Sequence, residues 1–226
     1  MGTQALSIIG VPDFPEVAGG DCLGTLITSV LRSSTISVSH NDIFVIAQKI
    51  VSKAERRIVH LDKVRPSAMA RAWGNAHDKD PRLIEIVLSQ TRRIVRMERG
   101  NLIVENLQGF VCANAGVDSS NVSKGTVSLL PKDCDQSASR IREELEQEFG
   151  VSLSVIIADT FGRPWRRGLV DVALGVSGLA PLLDYRGKQD SFGNVLKATL
   201  IAVADELASA AELVMGKTEG IPIALI

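Results

Sequence analysis

The segment IIADTFGRPWRRG, residues 156–168, places an aspartate behind an apolar run and a group of arginines behind the aspartate. Ligands of α/β sheets collect at the carboxyl ends of strands, and we expect Asp159 where the chain leaves the sheet. A carboxylate there can hold a hard divalent cation, with the hydroxyl of Thr160 as a neighbouring ligand. The arginines can neutralise phosphate or carboxylate groups bidentately. They are Arg163, Arg166 and Arg167. Equally open is that Asp159 caps a turn and the arginines pair with surface acids.

A second polar cluster is CANAGVDSSNVSKG, residues 112–125. Its small residues allow the backbone to approach a ligand closely. Asp118 supplies a carboxylate, and Ser119, Ser120 and Asn121 supply neutral hydrogen-bonding groups. Asp118 and Asp159 could together hold one metal ion, although a polar surface loop is the commoner outcome for such a composition.

Two further segments carry charges that suit an anionic ligand. In AQKIVSKAERR, residues 47–57, Lys49 and Lys53 stand four apart on what reads as a basic turn between strands. They could reach a triphosphate or form a solvated basic face. The loop DYRGKQDSFGN, residues 184–194, mixes both charges and suits a substrate with an amine and carboxylates, or is an ordinary surface loop.

Several familiar sites are excluded by spacing. The GKT at 216–218 is not a P-loop, because Ala211 stands where the pattern needs glycine and the run follows a helix. The three cysteines are far apart without a CxxC, which disfavours a zinc site or a disulfide framework. A net charge of −1 argues against bulk binding to nucleic acid or a membrane surface.

Strands and helices that would position these groups follow from the apolar periodicity. Strands are predicted at residues 5–11, 43–47, 57–61, 92–97, 102–107, 151–159, 170–178 and 221–226. Helices are predicted at 19–32 with Asp21 as N-cap, at 81–90, at 133–150 and at 194–215. For 133–150, Asp133 and Gln136 indicate a capping box and Gly150 the C-terminal end. We predict an α/β or α+β fold with a mixed sheet.

Length and composition bound the class of protein. The 226 residues suffice for one large domain or two small ones, and we assign a single domain over 1–226. Charged residues interrupt the longest apolar stretch, 195–215. A membrane-spanning helix rarely tolerates such charges, so this stretch is not predicted to cross a bilayer. The N-terminus MGTQALSIIG lacks the basic region and long apolar core of a signal peptide. We therefore expect a cytoplasmic protein.

In order along the chain, these segments resemble the coenzyme F(420) gamma-glutamyl ligases. The matching stretches are GDCLGTLI, VIAQKIVSKAE, CANAGVDSSNV, IIADTFGRPWRRG, DVALGVSGLAPLLDYRG and AVADELASAAELVMGK. The resemblance implies an unusual α/β ligase fold, an intertwined homodimer and a GTP-dependent reaction. In that reaction L-glutamate is joined to a deazaflavin coenzyme precursor through an acyl phosphate, and GDP and phosphate are released. It also implies Mg²⁺ or Mn²⁺ at two sites and, in some members, K⁺.

The resemblance also assigns roles residue by residue. Asp118 and Asp159 match metal ligands, and Thr160 matches a ligand of a second metal. By their chemistry, Arg163, Arg166 and Arg186 could hold the precursor or the incoming glutamate, and we predict that they form the catalytic group together with Asp159. The nucleotide would lie near Val11, Pro12, Asp13, Phe14, Gln48, Lys49, Lys53, Asn121, Met215, Gly216, Lys217 and Thr218.

The chain departs from the family at two places. Arg57 is assigned to the position of the glycine in the family's KAEGR. After Met215 the family often has an acidic, glycine-rich loop, whereas Lys217 and Thr218 precede Glu219 here, which argues against a metal ligand from that loop. The chain can also be the N-terminal part of a longer protein, because some relatives carry a flavin-binding domain next.

Two other functions are compatible with the same residues. A metal-dependent phosphohydrolase would use the same aspartates and release phosphate without glutamate. A non-catalytic module would bind GTP but form no GDP when precursor, glutamate and magnesium are supplied.

Overall fold

The computed structural model describes residues 5–226 and confirms a mixed α/β architecture. Its strands are β1 (Ile9–Gly10), β2 (Ile43–Ala47), β3 (Ile58–His60), β4 (Thr91–Glu98), β5 (Asn101–Asn106), β6 (Val111–Ala113), β7 (Thr126–Ser128), β8 (Ser154–Gly162), β9 (Leu169–Ser177), β10 (Leu183–Asp184), β11 (Leu200–Ile201) and β12 (Ile223–Leu225). Its α-helices are α1 (Leu23–Arg32), α2 (Gln48–Ala54), α3 (Ala68–Ala76), α4 (Pro81–Ser89), α5 (Cys134–Phe149) and α6 (Val203–Met215). Over residues 5–226, none of the helices has the length and apolar character that crossing a bilayer requires.

The main sheet has the strand order β1-β12-β2-β8-β9. Only β2 and β8 pair in parallel within it, and its other neighbours are antiparallel, so the predicted mixed sheet is confirmed. Successive side chains of a strand point to opposite faces. Phe44 and Ile157 pack with the core that contains α1 and α5, and Val45 and Ile156 pack with α6. Burial on both faces explains why these two strands read as unbroken apolar runs.

Small residues set how closely the helices approach this sheet. On α6, Ala204, Ala208 and Ala211 are buried against it. On the other face, a Cβ added to Gly175 of β9 would lie 2.2 Å from the carbonyl oxygen of Cys134, the first residue of α5. Only glycine fits at that contact.

A second core lies between α4 and two small sheets, one of β3 and β7 and one in the order β4-β5-β6. It contains Val87, Leu102, Val104 and Val127. Arg57 links the segments beside this core. Its guanidinium donates hydrogen bonds to the Leu130 carbonyl at 2.9 Å and to the Gln90 side chain at 3.3 Å.

Several sequence predictions are confirmed at the level of caps and turns. Asp133 accepts a hydrogen bond from the Gln136 backbone at 2.9 Å, and Gly150 ends α5 in the left-handed conformation with φ 67°. The strands predicted at 92–97 and 102–107 form the antiparallel pair β4 and β5. Helix α6 ends at Met215, as predicted, and is followed by Gly216.

Other predictions are wrong at the ends of elements. Asp21 is not the N-cap of α1; Cys22 is, and the Asp21 carboxylate accepts from the Ala18 backbone instead. Residues 194–202 are not helical, since β11 occupies part of them and α6 begins at Val203. The predicted basic turn is the helix α2, and the left-handed residue after it is Arg56, with φ 56°, rather than Arg57.

Asp159 does not mark the end of its strand. Strand β8 runs on to Gly162 because it keeps pairing with β9 through Gly162 and Leu169. The parallel pairing with β2, however, stops at Ala47 and Ala158. Asp159 therefore lies beyond the carboxyl end of the parallel pair, although not of its own strand.

Candidate functional site

Two elements meet at the carboxyl edge of the parallel strands. Strand β2 ends at Ala47 and α2 begins at once with Gln48. This brings Lys49, in the first turn of α2, close enough to influence the carboxylate of Asp159 on β8.

Asp118 reaches this edge from a distant part of the chain. Its backbone forms an isolated bridge with Ser128, with hydrogen bonds of 3.1 and 2.8 Å. Its carboxylate accepts from the Ser120 backbone at 2.8 Å and from the Ser120 hydroxyl at 2.6 Å. The same carboxylate is bound by the ammonium of Lys49, which also donates to the Ser120 carbonyl at 3.1 Å.

Asp118 and Asp159 line one cavity of about 1690 Å³. Its walls come from the edge of the main sheet, the 112–123 segment, the strands of the small β4-β5-β6 sheet and the loop after α6. The two aspartates that the sequence predicted to act together are therefore brought to one site.

The two carboxylates have opposite electrostatic environments. Burial raises the pKa of Asp159 to about 6; the neighbouring Asp171 and Asp118 act in the same direction, against the Thr160 backbone N–H and the charge of Lys49. Burial would also raise the pKa of Asp118, but the hydrogen bonds from Lys49 and Ser120 hold it below the ordinary value. Asp118 is thus the more firmly ionised of the pair.

A second group of charges adjoins Asp159. The Thr160 hydroxyl donates to Asp171 at 2.6 Å and is itself contacted by the ammonium of Lys217. Lys217 also pairs with Glu212 at 2.7 Å and lies 3.6 Å from Asp171. Asp171 is only 3% exposed.

Most residues predicted to bind nucleotide line this cavity. They are Phe14, Gln48, Lys49, Lys53, Asn121, Met215, Gly216, Lys217 and Thr218. The Gln48 side chain is buried and accepts from Ser52 at 2.8 Å, and the Lys53 ammonium pairs with Glu16 at 2.6 Å. Val11, Pro12 and Asp13 lie outside the lining, and Val11 belongs to the main core.

The predicted catalytic arginines are divided. Arg163 lines the cavity, its Nε is buried, and within residues 5–226 this atom has no hydrogen-bond partner. Arg166 and Arg186 lie outside the lining. Arg186 pairs instead with Asp184 at 2.7 Å, which accounts for two charges of the 184–194 loop.

Sequence reasoning missed Asp171, Glu212 and Glu16. Asp171 is an acid inside an apolar strand and Glu212 an acid on a largely apolar helix. A carboxylate at a position where the pattern predicts burial is the signal that could have identified both, because buried charges need a partner.

The donors at this edge are hard oxygen atoms, which Mg²⁺ and Mn²⁺ prefer. In the part of the chain that the structure describes, no three Asp, Glu, His or Cys side chains are grouped so as to hold a metal ion by themselves. Mg²⁺ in proteins is commonly held by one or two carboxylates, and water and substrate phosphates complete its coordination shell. The oxygen donors at this edge fit that mode of binding. Asp118 and Asp159 are the two carboxylates that would serve it.

Comparison with known proteins identifies the family. The model of the F420-0:Gamma-glutamyl ligase family matches residues 13–226, so this chain belongs to that family. The coenzyme F420:L-glutamate ligase of Methanothermobacter thermautotrophicus is 46% identical over 224 residues, covering 99% of this chain and 89% of that protein. The protein of the same name from Methanocaldococcus jannaschii is 45% identical over 84% of this chain and 76% of its own length. That from Methanopyrus kandleri is 44% identical over 98% and 86%. The resemblance drawn from the sequence motifs is confirmed.

Proposed function

We propose that this chain is a GTP- and divalent-metal-dependent ligase that joins L-glutamate to the deazaflavin coenzyme F(420) precursor. The observation that carries the proposal is the convergence of Asp118, Asp159 and Lys49 on one large cavity in a chain of this family. At about 1690 Å³ the cavity exceeds the roughly 300–1,000 Å³ of single small-ligand sites, as expected where a nucleotide and an acceptor meet.

The reaction has two steps. An oxygen of the precursor carboxylate attacks the γ-phosphorus of GTP, the bond to the β-phosphate oxygen breaks, and GDP leaves. The glutamate amine then attacks the acyl carbon, phosphate leaves with the electron pair of its C–O bond, and the amine gives up a proton as the amide forms. Mg²⁺ or Mn²⁺, when bound, stabilises the charge of the transferring phosphoryl group.

The chain's own residues supply the rest of the site. Asp118 and Asp159 would hold the cation, and Lys49 would place a positive charge beside the phosphates. Arg163 lines the cavity, and its Nε has no hydrogen-bond partner among residues 5–226, so its guanidinium would bring a positive charge to an anionic group of the precursor or glutamate. Lys53 lies one turn after Lys49 on α2 and extends the positive charge toward Glu16.

We also propose that the protein acts as a homodimer. Residues 182–201, here called the arm, contain β10 and β11 and expose large apolar side chains, including Phe192 at 90%. Leu182, Leu183, Val195 and Leu200 are exposed on the same arm. Clustered exposed apolar residues are typical of a protein interface, and a second copy of the chain is the partner that the family resemblance implies.

Mass spectrometry of a reaction with precursor, GTP, glutamate and Mn²⁺ tests the proposed activity. We expect a product heavier by glutamyl residues, formed together with GDP. Omitting glutamate separates the alternatives: release of phosphate without the amino acid would favour a phosphohydrolase, and GTP binding without GDP in the complete mixture would favour a non-catalytic module.

A further inference from the structure

The group of Thr160, Asp171, Glu212 and Lys217 lies next to the proposed cation ligands. Thr160 follows Asp159 in β8, and Asp171 pairs with Thr160 across β8 and β9. All four line the same cavity as Asp118. The group is therefore part of the catalytic cavity and not a separate surface cluster.

The ammonium of Lys217 lies close to oxygen atoms of the other three residues. It contacts the Thr160 hydroxyl, pairs with Glu212 at 2.7 Å and lies 3.6 Å from Asp171. Burial would lower the pKa of Lys217, but Glu212 and Asp171 raise it, so the side chain is charged at neutral pH. A hydroxyl and two carboxylates around one positive charge form the same kind of donor set that a divalent cation takes.

We infer that Lys217 fills the position at which a second divalent cation would bind, so that this cavity takes one divalent cation instead of two. The inference rests on the proposed function for the first cation, at Asp118 and Asp159. Thr160, which the family resemblance assigns to a second metal, here binds a lysine of its own chain. Lys217 thus places one positive charge where a second metal ion would bring two.

Lys217 lies in a tight loop that follows α6. Gly216, which precedes it, has φ 60°, and a Cβ there would lie 2.1 Å from a carboxylate oxygen of Glu219. That carboxylate accepts from the Thr218 backbone at 2.8 Å and from the Thr218 hydroxyl at 3.0 Å. The loop is thereby closed on itself, and the lysine leaves it toward Glu212.

Lys49 is differently placed. It contacts Asp118 but is not among the hydrogen-bond donors to Asp159 in the described part of the chain, where the Thr160 backbone N–H serves that carboxylate. Lys217, in contrast, reaches Thr160, Glu212 and Asp171 together. The proposed first cation position therefore keeps the carboxylate of Asp159 for a metal. At the second position, Lys217 already lies beside the carboxylates of Glu212 and Asp171.

Counting bound Mn²⁺ tests the inference without nucleotide or substrate. Mn²⁺ is titrated into the full chain, and free Mn²⁺ is followed by its electron paramagnetic resonance signal. We expect Lys217→Met to bind one more Mn²⁺ per chain than the unaltered protein. Lys132→Met removes an equal charge at an exposed position outside the cavity and should leave the count unchanged.

Two further variants locate the additional ion. Adding Glu212→Gln to Lys217→Met should abolish the extra Mn²⁺, because a carboxylate of its donor set is lost. Lys217→Gln, which can still hydrogen-bond Thr160, replaces Lys217→Met if the latter does not fold. Equal Mn²⁺ counts in the unaltered protein and in the folded Lys217 variants would overturn the inference. Since no ligation is measured, failure of the proposed activity would not produce that result.

Discussion

The ammonium of Lys49 binds the carboxylate of Asp118, which lies 69 residues further along the chain. The contact joins the edge of the main sheet to the 112–125 segment, and it places a positive and a negative group of the candidate site in direct contact. A cation at Asp118 would have to share this carboxylate with Lys49. The hydrogen bond from Lys49 lowers the pKa of Asp118 and so favours the ionised form, which is the form that the proposed cation site requires.

Replacing Lys49 should therefore impair the site at two levels. We expect Lys49→Met to lower kcat/KM for ligation by about a hundredfold, as loss of one well-placed electrostatic contact typically does. It should also bring the pKa of Asp118 up, since a hydrogen bond that lowers it is removed. Steady-state kinetics and the ¹³C chemical shift of the Asp118 carboxyl against pH measure the two effects. Lys63→Met, an exposed lysine outside the cavity, is the matched control; an active Lys49→Met enzyme would contradict the assigned role.

Asp159 is the second test of the cation site. Asp159→Asn keeps the shape of the side chain but removes its charge, and we expect loss of GTP-dependent ligation with the fold intact. The measurement is GDP release and product mass, with circular dichroism to verify folding. Asp62→Asn, at an exposed position of the short 3₁₀ turn Leu61–Lys63, should retain activity. Near-normal turnover of Asp159→Asn would refute its role as a metal ligand.

The same variant makes a prediction about stability in metal-free protein. The pKa of Asp159 is raised from 3.8 to about 6, so the folded state disfavours its charge. This cost is absent well below pH 3.8, where the carboxyl is protonated in the folded and in the unfolded state. It grows between about pH 4 and about pH 6, above which the carboxyl is charged in both states. At full ionisation it amounts to at most about 3 kcal/mol. In EDTA, Asp159→Asn should therefore gain stability relative to the unaltered protein as the pH rises from about 4 to about 6, with little further change at higher pH.

Urea unfolding at several pH values measures this difference in the free energy of unfolding. Asp62→Asn again serves as the control and should show no such trend. If the advantage of Asp159→Asn is the same at both ends of the pH range, the carboxylate is not destabilised by its surroundings in the way that its burial indicates.

The sequence predicted the central strands well because burial on two faces leaves an unambiguous apolar run, as in β2 and β8. It also predicted α5, where Asp133 and Gly150 fix both ends by local chemistry. The predicted start of the helix at residue 194 was wrong. Residues 194–202 are rich in apolar side chains, which favoured a helix, but they belong largely to the exposed arm. The role predicted for Asp21 as N-cap was wrong because its carboxylate accepts a hydrogen bond from the backbone N–H of Ala18, in the preceding turn.

The candidate site was predictable in its residue types but not in its pairing. Asp118, Asp159 and Lys49 stand in polar or charged segments that are visible along the chain. Which lysine contacts which acid depends on how loops from distant segments pack, and sequence spacing contains no such information. The contact between Asp171 and Lys217 was missed for the same reason. Asp171 lies in a predicted strand and Lys217 just after a predicted helix, and nothing in their spacing indicates that they meet.

Gly175 provides a test of how closely α5 approaches the sheet. A Cβ at this position would lie 2.2 Å from the backbone of Cys134, and backbone atoms cannot move aside cheaply. We expect Gly175→Ala to lower the free energy of unfolding by about 2–4 kcal/mol, measured by urea denaturation. Gly162→Ala, on the neighbouring strand β8, would meet only a Leu169 methyl at 4.0 Å and should change stability little. Equal stability of the two variants would mean that α5 can shift without cost.

The arm provides the last prediction, which concerns assembly. Phe192 is 90% exposed in the single chain, and burying such a side chain against a second copy would stabilise a dimer by about 2 kcal/mol or more per copy. We expect Phe192→Glu to shift the protein from dimer to monomer, because a charge would then have to enter the interface unpaired. Light scattering after size exclusion over a range of concentrations measures the mass. Leu213→Glu places the same charge at an 84% exposed position of α6, outside the arm, and should leave the dimer intact. An unaltered protein that is monomeric at all concentrations, or a Phe192→Glu variant that stays dimeric while Leu213→Glu dissociates, would show that the arm is not the interface.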